Sequence, residues 1–237
     1  MSTLQRTTSF QDLHDLRDQD LLDLAEQLDG RPVPGLRLTE QQFEAWCDED
    51  VKAEWVDGEV ILMPPSSGEH GDIAGWLYRV VAEFVEEHKL GLVRGPEFQV
   101  RLVLGKRRRR RVPDLLFVAE SRRNLLRPTY LSGPPDLAME VVSIDSQSRD
   151  RGDKYNDYES AGVREYWIID PLTRRVEAHQ LGKGKRYEPI KPIAGRLPST
   201  VLRGFYLRPD WLWGASMPRV PDVLREVHAS RRKRATK

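Results

Sequence analysis

Two acidic residues stand among apolar neighbours that make a charge costly. Asp114 lies in Val112-Pro113-Asp114-Leu115-Leu116-Phe117-Val118, and Glu140 lies in Leu137-Ala138-Met139-Glu140-Val141-Val142. A carboxylate in an apolar strand loses free energy on desolvation unless it is paired, hydrogen-bonded or bound to a metal. If the two strands are neighbours, the pair of acids forms a candidate divalent-cation site. Oxygen donors suit Mg2+ or Mn2+, which use one or two carboxylates together with water and substrate phosphate. Such an ion would activate water and stabilise charge at phosphorus. The plainer alternative has Asp114 capping a strand end and Glu140 paired with an arginine from residues 106–111.

Other side chains could join this chemistry. His70, at the start of an amphipathic segment, could contact phosphate or water, or simply cap its helix. Glu59 is a second candidate, or a partner across a hairpin. The block Lys106, Arg107, Arg108, Arg109, Arg110 and Arg111 would bind a DNA backbone without reading bases, or form a solvated hairpin tip. Ser143 and Cys47 lack a histidine base in any recognisable motif, which argues against a nucleophilic enzyme. The histidines show no zinc-type spacing.

The elements that must position these residues follow from periodicity and turn chemistry. Leucines at 13, 16, 21, 22 and 28 predict an appended helix over 10–28, followed by the linker Gly30-Arg31-Pro32-Val33-Pro34-Gly35. Thr39 with Gln42 reads as a capping box opening a short helix. Asp57-Gly58 between two β-rich runs, 53–56 and 59–63, is a hairpin signal. Ile73, Leu77, Val80, Val81 and Phe84 repeat at helical spacing, which predicts a helix over 68–88 ended by Gly91. The runs 98–104 and 112–119 read as a hairpin whose tip is the basic block, 137–144 as a third strand, 149–160 as a helix and 166–169 as a strand. Short strands near 176–180 and 186–190 would extend the sheet. The expected domains are a helical extension and linker over 1–35, a main domain over 36–215, and a basic tail over 216–237.

The bulk numbers set bounds on this reading. A chain of 237 residues with 39% hydrophobic content suits one sizeable domain with terminal additions. The net charge of +1 comes from 38 basic and 37 acidic residues, so nucleic-acid affinity must arise from local clusters. The single cysteine excludes an intrachain disulfide and a cysteine-based zinc site, and points to a reducing, cytoplasmic setting. The start MSTLQRTTSF lacks the basic-then-apolar order of a leader, and no run of about 18 apolar residues suggests a membrane span.

Taken in order, Glu54-Trp55-Val56-Asp57-Gly58-Glu59-Val60, Met63-Pro64-Pro65 with His70, Pro113-Asp114, Glu140-Val141-Val142-Ser143, Asp150, Lys154, Tyr158 and Gly162-Val163-Arg164-Glu165-Tyr166-Trp167-Ile168-Ile169-Asp170 resemble the Uma-type restriction endonucleases of the PD-(D/E)XK superfamily. The resemblance runs from about Leu38 to Trp213. It implies an α/β fold with an αβββαβ core, a central mixed sheet flanked by helices, Asp114 and Glu140 as metal ligands, the Val141 carbonyl as a further ligand, and hydrolysis of DNA phosphodiester bonds. Two residues after Glu140, where the superfamily carries its lysine, stands Val142. Lys154 on the following helix could reach the same spot and orient water or stabilise developing charge. Its plainer role is a surface pair with Asp150 one turn away. The Val142 departure also keeps open a module that binds DNA or protein without turnover. A homodimer, letting paired subunits address both DNA strands, is a further expectation.

Overall fold

The computed structural model describes residues 9–16, 18–47, 51–143 and 149–235. Two short helices open it, α1 (Phe10–His14) and α2 (Asp18–Leu28), followed by α3 (Glu40–Trp46). Ser9 and Thr39 each accept a hydrogen bond from the backbone N–H three residues on, and the acceptor side chains of Asp12 and Gln42 return the contact. Strands β1 (Ala53–Val56) and β2 (Glu59–Leu62) form the expected hairpin. Asp57 and Gly58 supply its two positive φ angles, 50° and 101°.

Helix α4 (Gly68–Glu87) follows, with Ile73, Leu77, Val80, Val81 and Phe84 all buried. Then come β3 (Gly91–Arg94), β4 (Gln99–Leu104), β5 (Arg107–Arg111), β6 (Leu115–Ala119), β7 (Tyr130–Ser132) and β8 (Leu137–Val141). A π-helical turn at Arg149–Asp153 leads into α5 (Lys154–Ala161), and β9 (Glu165–Asp170), β10 (Arg175–Leu181) and β11 (Tyr187–Pro189) complete the main sheet. The small hairpin β12 (Leu197–Pro198) and β13 (Tyr206–Leu207) precedes α6 (Val220–Ala235).

The strands form two principal sheets, where one central sheet was expected. The larger has six strands in the order β11-β10-β9-β8-β6-β3, and the smaller has five in the order β2-β1-β5-β4-β7. Helix α4 and the buried face of α6 cover one side of the six-stranded sheet through Leu115, Phe117, Leu137, Met139 and Val141. The opposite side packs through Leu116, Val118, Ala138, Tyr166 and Ile168 against Tyr158 of α5 and against Val100 and Leu102 of β4. The period of two along each strand sends alternate residues into the two cores.

Three expectations need correction. Gly91 does not end the helix but opens β3, an edge strand antiparallel to β6; its φ is +151°, and a Cβ there would lie 2.1 Å from the Val118 carbonyl oxygen. The basic block is a hairpin tip only at Lys106, in the β4–β5 turn: Arg107–Arg111 form β5, paired with β4, while the run after Pro113 belongs to the other sheet. The segment expected to be a basic tail is helical from Val220, and Val223, Leu224 and Val227 are buried against the α4 side of the core. The side chains of 231–234 lie outside the described residues, as does Ile144 of the expected third strand.

The arginines form a strand because each buried one finds a carboxylate. On one face of β5, Arg110 lies 3.2 Å from Glu40 and 3.1 Å from Glu44, and Arg108 lies 3.1 Å from Glu40. Arg101 of β4 adds a second nitrogen, 2.9 Å from Glu40. On the other face, Arg109 pairs with Asp57, and Arg111 pairs with Glu54 and Asp157. Hydrogen bonds from Arg101 and Arg108, and the nearby charge of Arg110, outweigh burial and hold the Glu40 carboxyl down at about 2.

The N-terminal helices and the expected linker pack on their own chain. Leu13, Leu24 and Leu28 are buried with Phe43, Trp46, Trp55, Val60 and Leu62. The Val33 N–H donates to the Val60 carbonyl at 2.9 Å, and Pro32 bridges Ile61, so this segment borders β2.

Two outcomes follow. Leu24→Ala should lower unfolding free energy by about 2–5 kcal/mol, read by chemical denaturation; a loss well under 1 kcal/mol would mean that α2 rides loosely on the sheet. Glu40→Gln should be less stable than wild type near neutral pH. Because the folded carboxyl lies below its usual 4.5, its contribution is present above that value and fades as pH falls toward about 2. The gap between the two proteins should therefore narrow across that window, and a gap independent of pH would remove the charge from the explanation.

Candidate active site

Strands β6 and β8 run antiparallel with Leu115 opposite Met139. One further step along this register sets Asp114 opposite Glu140, on the sheet face that α5 covers. Helix α5 starts at Lys154, so the first turn of the helix delivers its lysine onto that face. Gly162, at φ +87°, ends the helix in the left-handed conformation and frees the chain to enter β9.

Lys154 is 2% exposed. Its ammonium lies 2.9 Å from Glu140 Oε2, 3.3 Å from Glu54 Oε1 and 3.5 Å from Asp150 Oδ1. Tyr158, one turn along α5, donates its hydroxyl to Glu140 Oε1 at 2.8 Å. The Val141 N–H donates to Asp114 Oδ2 at 2.8 Å, and His70 Nε2 lies 3.0 Å from Asp114 Oδ1. The other ring nitrogen, His70 Nδ1, is buried with no hydrogen-bond partner among the described residues.

Lys154, Glu140, Asp150, Asp114, Val141 and His70 line a cavity of about 420 Å³. Pro64, Pro65, Ser66 and Ser67 border it before α4, and Pro171 and Leu172 border it after β9. Burial raises the Asp114 carboxyl, but the hydrogen bond and charge of His70, with Lys154 and the Val141 N–H, outweigh it and hold the group below its usual range. Glu140 is pushed up to about 8, chiefly by burial, which exceeds the opposing pull of Lys154 and is reinforced by Asp150, Asp114 and Glu54. Glu140, Glu54 and Asp150 thus surround the Lys154 ammonium beside Asp114, a concentration of carboxylates that suits a further cation.

Of the residues singled out in the sequence, Asp114, Glu140, Val141, Lys154 and His70 meet in this cavity. Lys154 keeps its neighbour Asp150, but as part of a buried cluster and not as a surface pair. Glu59 does not reach the cavity: it lies at the hairpin end, 3.0 Å from Arg37, and is 39% exposed. Glu54 shares that hairpin face but lies at its far end from the turn, where it is fully buried against Lys154. Glu54 and Tyr158 enter the quoted resemblance without a role, and Asp150 only as the surface partner of Lys154. Glu54, flanked by Ala53 and Trp55 in a strand, carried the same signal as Asp114. The proposed phosphate contacts at Arg109, Arg110 and Arg111 are corrected, since all three are buried and held by carboxylates. Lys106, Arg107 and Arg108 are exposed.

No helix is long and apolar enough to cross a membrane, among the described residues. No curated protein matches the chain. Among solved structures, a chain from Anabaena variabilis described as "a putative nuclease belonging to DUF820" is similar, with a TM-score of 0.61 and 19% identity, covering 74% of this chain and 97% of that one. At that identity the likeness speaks for a nuclease-like fold alone. Residues 40–213, well over half of the sequence, match the family model described as "Uma2: Putative restriction endonuclease", and the chain therefore belongs to the Uma2 family.

Proposed function

We propose that this protein is an Mg2+- or Mn2+-dependent endodeoxyribonuclease that hydrolyses phosphodiester bonds in DNA. The observation that carries this reading is the meeting of Asp114, Glu140 and Lys154 in one cavity, with the lysine 2.9 Å from Glu140 although Val142 stands at the usual lysine position. The order α4, β3, β6, β8, α5, β9 supports it, because it corresponds to the αβββαβ core of PD-(D/E)XK nucleases. The description of the family and that of the Anabaena relative point the same way.

The donors suit such an ion. Asp114, Glu140 and the Val141 carbonyl would hold it, all through oxygen, and the excess of carboxylates leaves charge for it to neutralise. Among the described residues, no three His, Cys, Asp or Glu side chains form a ready-made metal cage. Magnesium needs none, since it keeps several waters and takes one or two carboxylates. When bound, the ion supplies Lewis acidity toward a phosphate oxygen and lowers the pKa of water.

The chain's own groups do the rest. Lys154 places a positive charge where negative charge grows on the phosphorus oxygens, inside a cavity that weakens solvent screening. Tyr158 and Lys154 fix both oxygens of Glu140, and the Val141 N–H and His70 fix both oxygens of Asp114, so neither carboxylate needs to reorganise. The unpartnered Nδ1 of His70 is available to water or phosphate.

One observation favours a second reading, a DNA-binding or protein-interaction module without turnover. All four oxygens of Asp114 and Glu140 already have protein partners, a state that stands without a metal.

Purified protein with supercoiled plasmid DNA separates the two. Asp114→Asn and Glu140→Gln should fold and lose Mg2+-dependent cleavage, because each keeps shape and removes ligand charge. Lys154→Ala should lower the rate about 100- to 1000-fold while changing Mg2+ affinity much less. Full activity in Asp114→Asn would overturn the assignment. Absence of both cleavage and Mg2+ binding in the wild type would favour the module.

A further inference from the structure

Arg111 is a buried cation that this scheme leaves without a role. It lies on β5 and is 1% exposed. Its guanidinium joins two carboxylates from different parts of the fold: Nη1 is 2.8 Å from Glu54 Oε2, while Nη2 and Nε are 2.6 and 3.0 Å from Asp157 Oδ2. The backbone explains the first contact. Trp55 pairs with Arg110 across the β1–β5 ladder, so the next step sets Glu54 opposite Arg111.

Each carboxylate then leads to Lys154. Glu54 Oε1 accepts the Val112 N–H at 3.1 Å and lies 3.3 Å from the Lys154 ammonium. Asp157 sits on α5 three residues after Lys154, so holding Asp157 holds the turn of helix from which the lysine projects. Arg111 therefore restrains both ends of Lys154, its charged tip through Glu54 and its backbone through Asp157. A lysine needs such restraint, being a point charge on a flexible four-carbon stem. The planar, forked guanidinium is the group suited to supply it. Stability alone is a poor account of the cluster, because desolvating this many charges offsets most of what their attraction contributes.

We propose that Arg111 is a positioning residue for Lys154, and that the five-stranded sheet, which lies outside the αβββαβ order, thereby sets the geometry of the cavity. The positioning rests on the contacts above; only its consequence for turnover rests on the nuclease reading.

The test uses full-length protein carrying ¹³C,¹⁵N-labelled lysine, with the Lys154 ammonium resonance assigned through Lys154→Arg. Arg111→Lys keeps the charge and loses the fork. Asp157→Asn keeps the shape and loses the helix-side charge, and it carries the test if Arg111→Lys does not fold. Arg109 also approaches Asp157, at 3.4 Å, so the Arg111 variant isolates the arginine. Glu159→Gln, on the same helix but paired with Arg186, is the control for a purely structural loss.

Arg111→Lys and Asp157→Asn should shift the Lys154 signal and speed its solvent exchange, and should lower kcat roughly 10- to 100-fold with KM little changed. Glu159→Gln should lower Tm while leaving the Lys154 signal in place. The proposal is overturned if the two test variants lower Tm but leave the Lys154 resonance and kcat at wild-type values. If the resonance moves while the wild type cleaves no DNA, the positioning stands and the nuclease reading falls.

Discussion

The structure turns on one electrostatic constraint: Glu140, Asp114, Glu54 and Asp150 are withdrawn from water around a single lysine. Isolated charges in a low-dielectric interior are strongly unfavourable, so each must meet a partner of fixed geometry. The surrounding elements supply those partners. Helix α4 brings His70 to Asp114, α5 brings Lys154 and Tyr158 to Glu140, and β5 brings Arg111 to Glu54. The compensation stays incomplete at Glu140, which is pushed up to about 8. A fold that maximised stability would replace such a group with an apolar one. Buried and cavity-facing, it stands where the proposed function would use it.

The same logic governs the arginine-rich strand. A run of six basic residues invites a solution role, yet strand geometry hides three of them and sorts the paired side chains by parity. Arg108 and Arg110 meet Glu40 and Glu44 from α3, while Arg109 and Arg111 turn toward Asp57, Glu54 and Asp157. Cross-strand and helix carboxylates thus convert a block that looks like a phosphate-binding tip into internal ties. One set fastens the N-terminal part of the chain to the smaller sheet. The other fastens the smaller sheet to α5 and so to the cavity.

Much of this was legible in the sequence because its signals are local. Asp57-Gly58 specifies a hairpin through backbone conformation, and the three-and-four spacing of Ile73 to Phe84 specifies the helix over 68–87. Asp114 and Glu140 stood out because an apolar strand makes a carboxylate costly without a partner. Lys154 became visible only through the family pattern, since a lysine on a polar helix looks the same whether it faces water or a cavity. The strand at 91–94 stayed hidden because four residues carry little periodicity, and Gly91 reads equally as a helix stop.

What the sequence by itself determined is the set of groups whose requirements are met within a few residues: turns, caps, apolar faces, and the two acids that must find partners. Only the tertiary structure decided which partners they find, because a side chain's environment is set by elements distant along the chain. Glu54 and Glu59 share one face of the hairpin, but Glu54 lies at the end opposite Arg111 and enters the site, while Glu59 lies beside the turn and stays out of it. Arg111 became an internal brace because β5 lies between β1 and β4 and faces α5. Charge and periodicity are properties of the chain, but the burial that gives them chemical meaning arises only when separate segments are packed together.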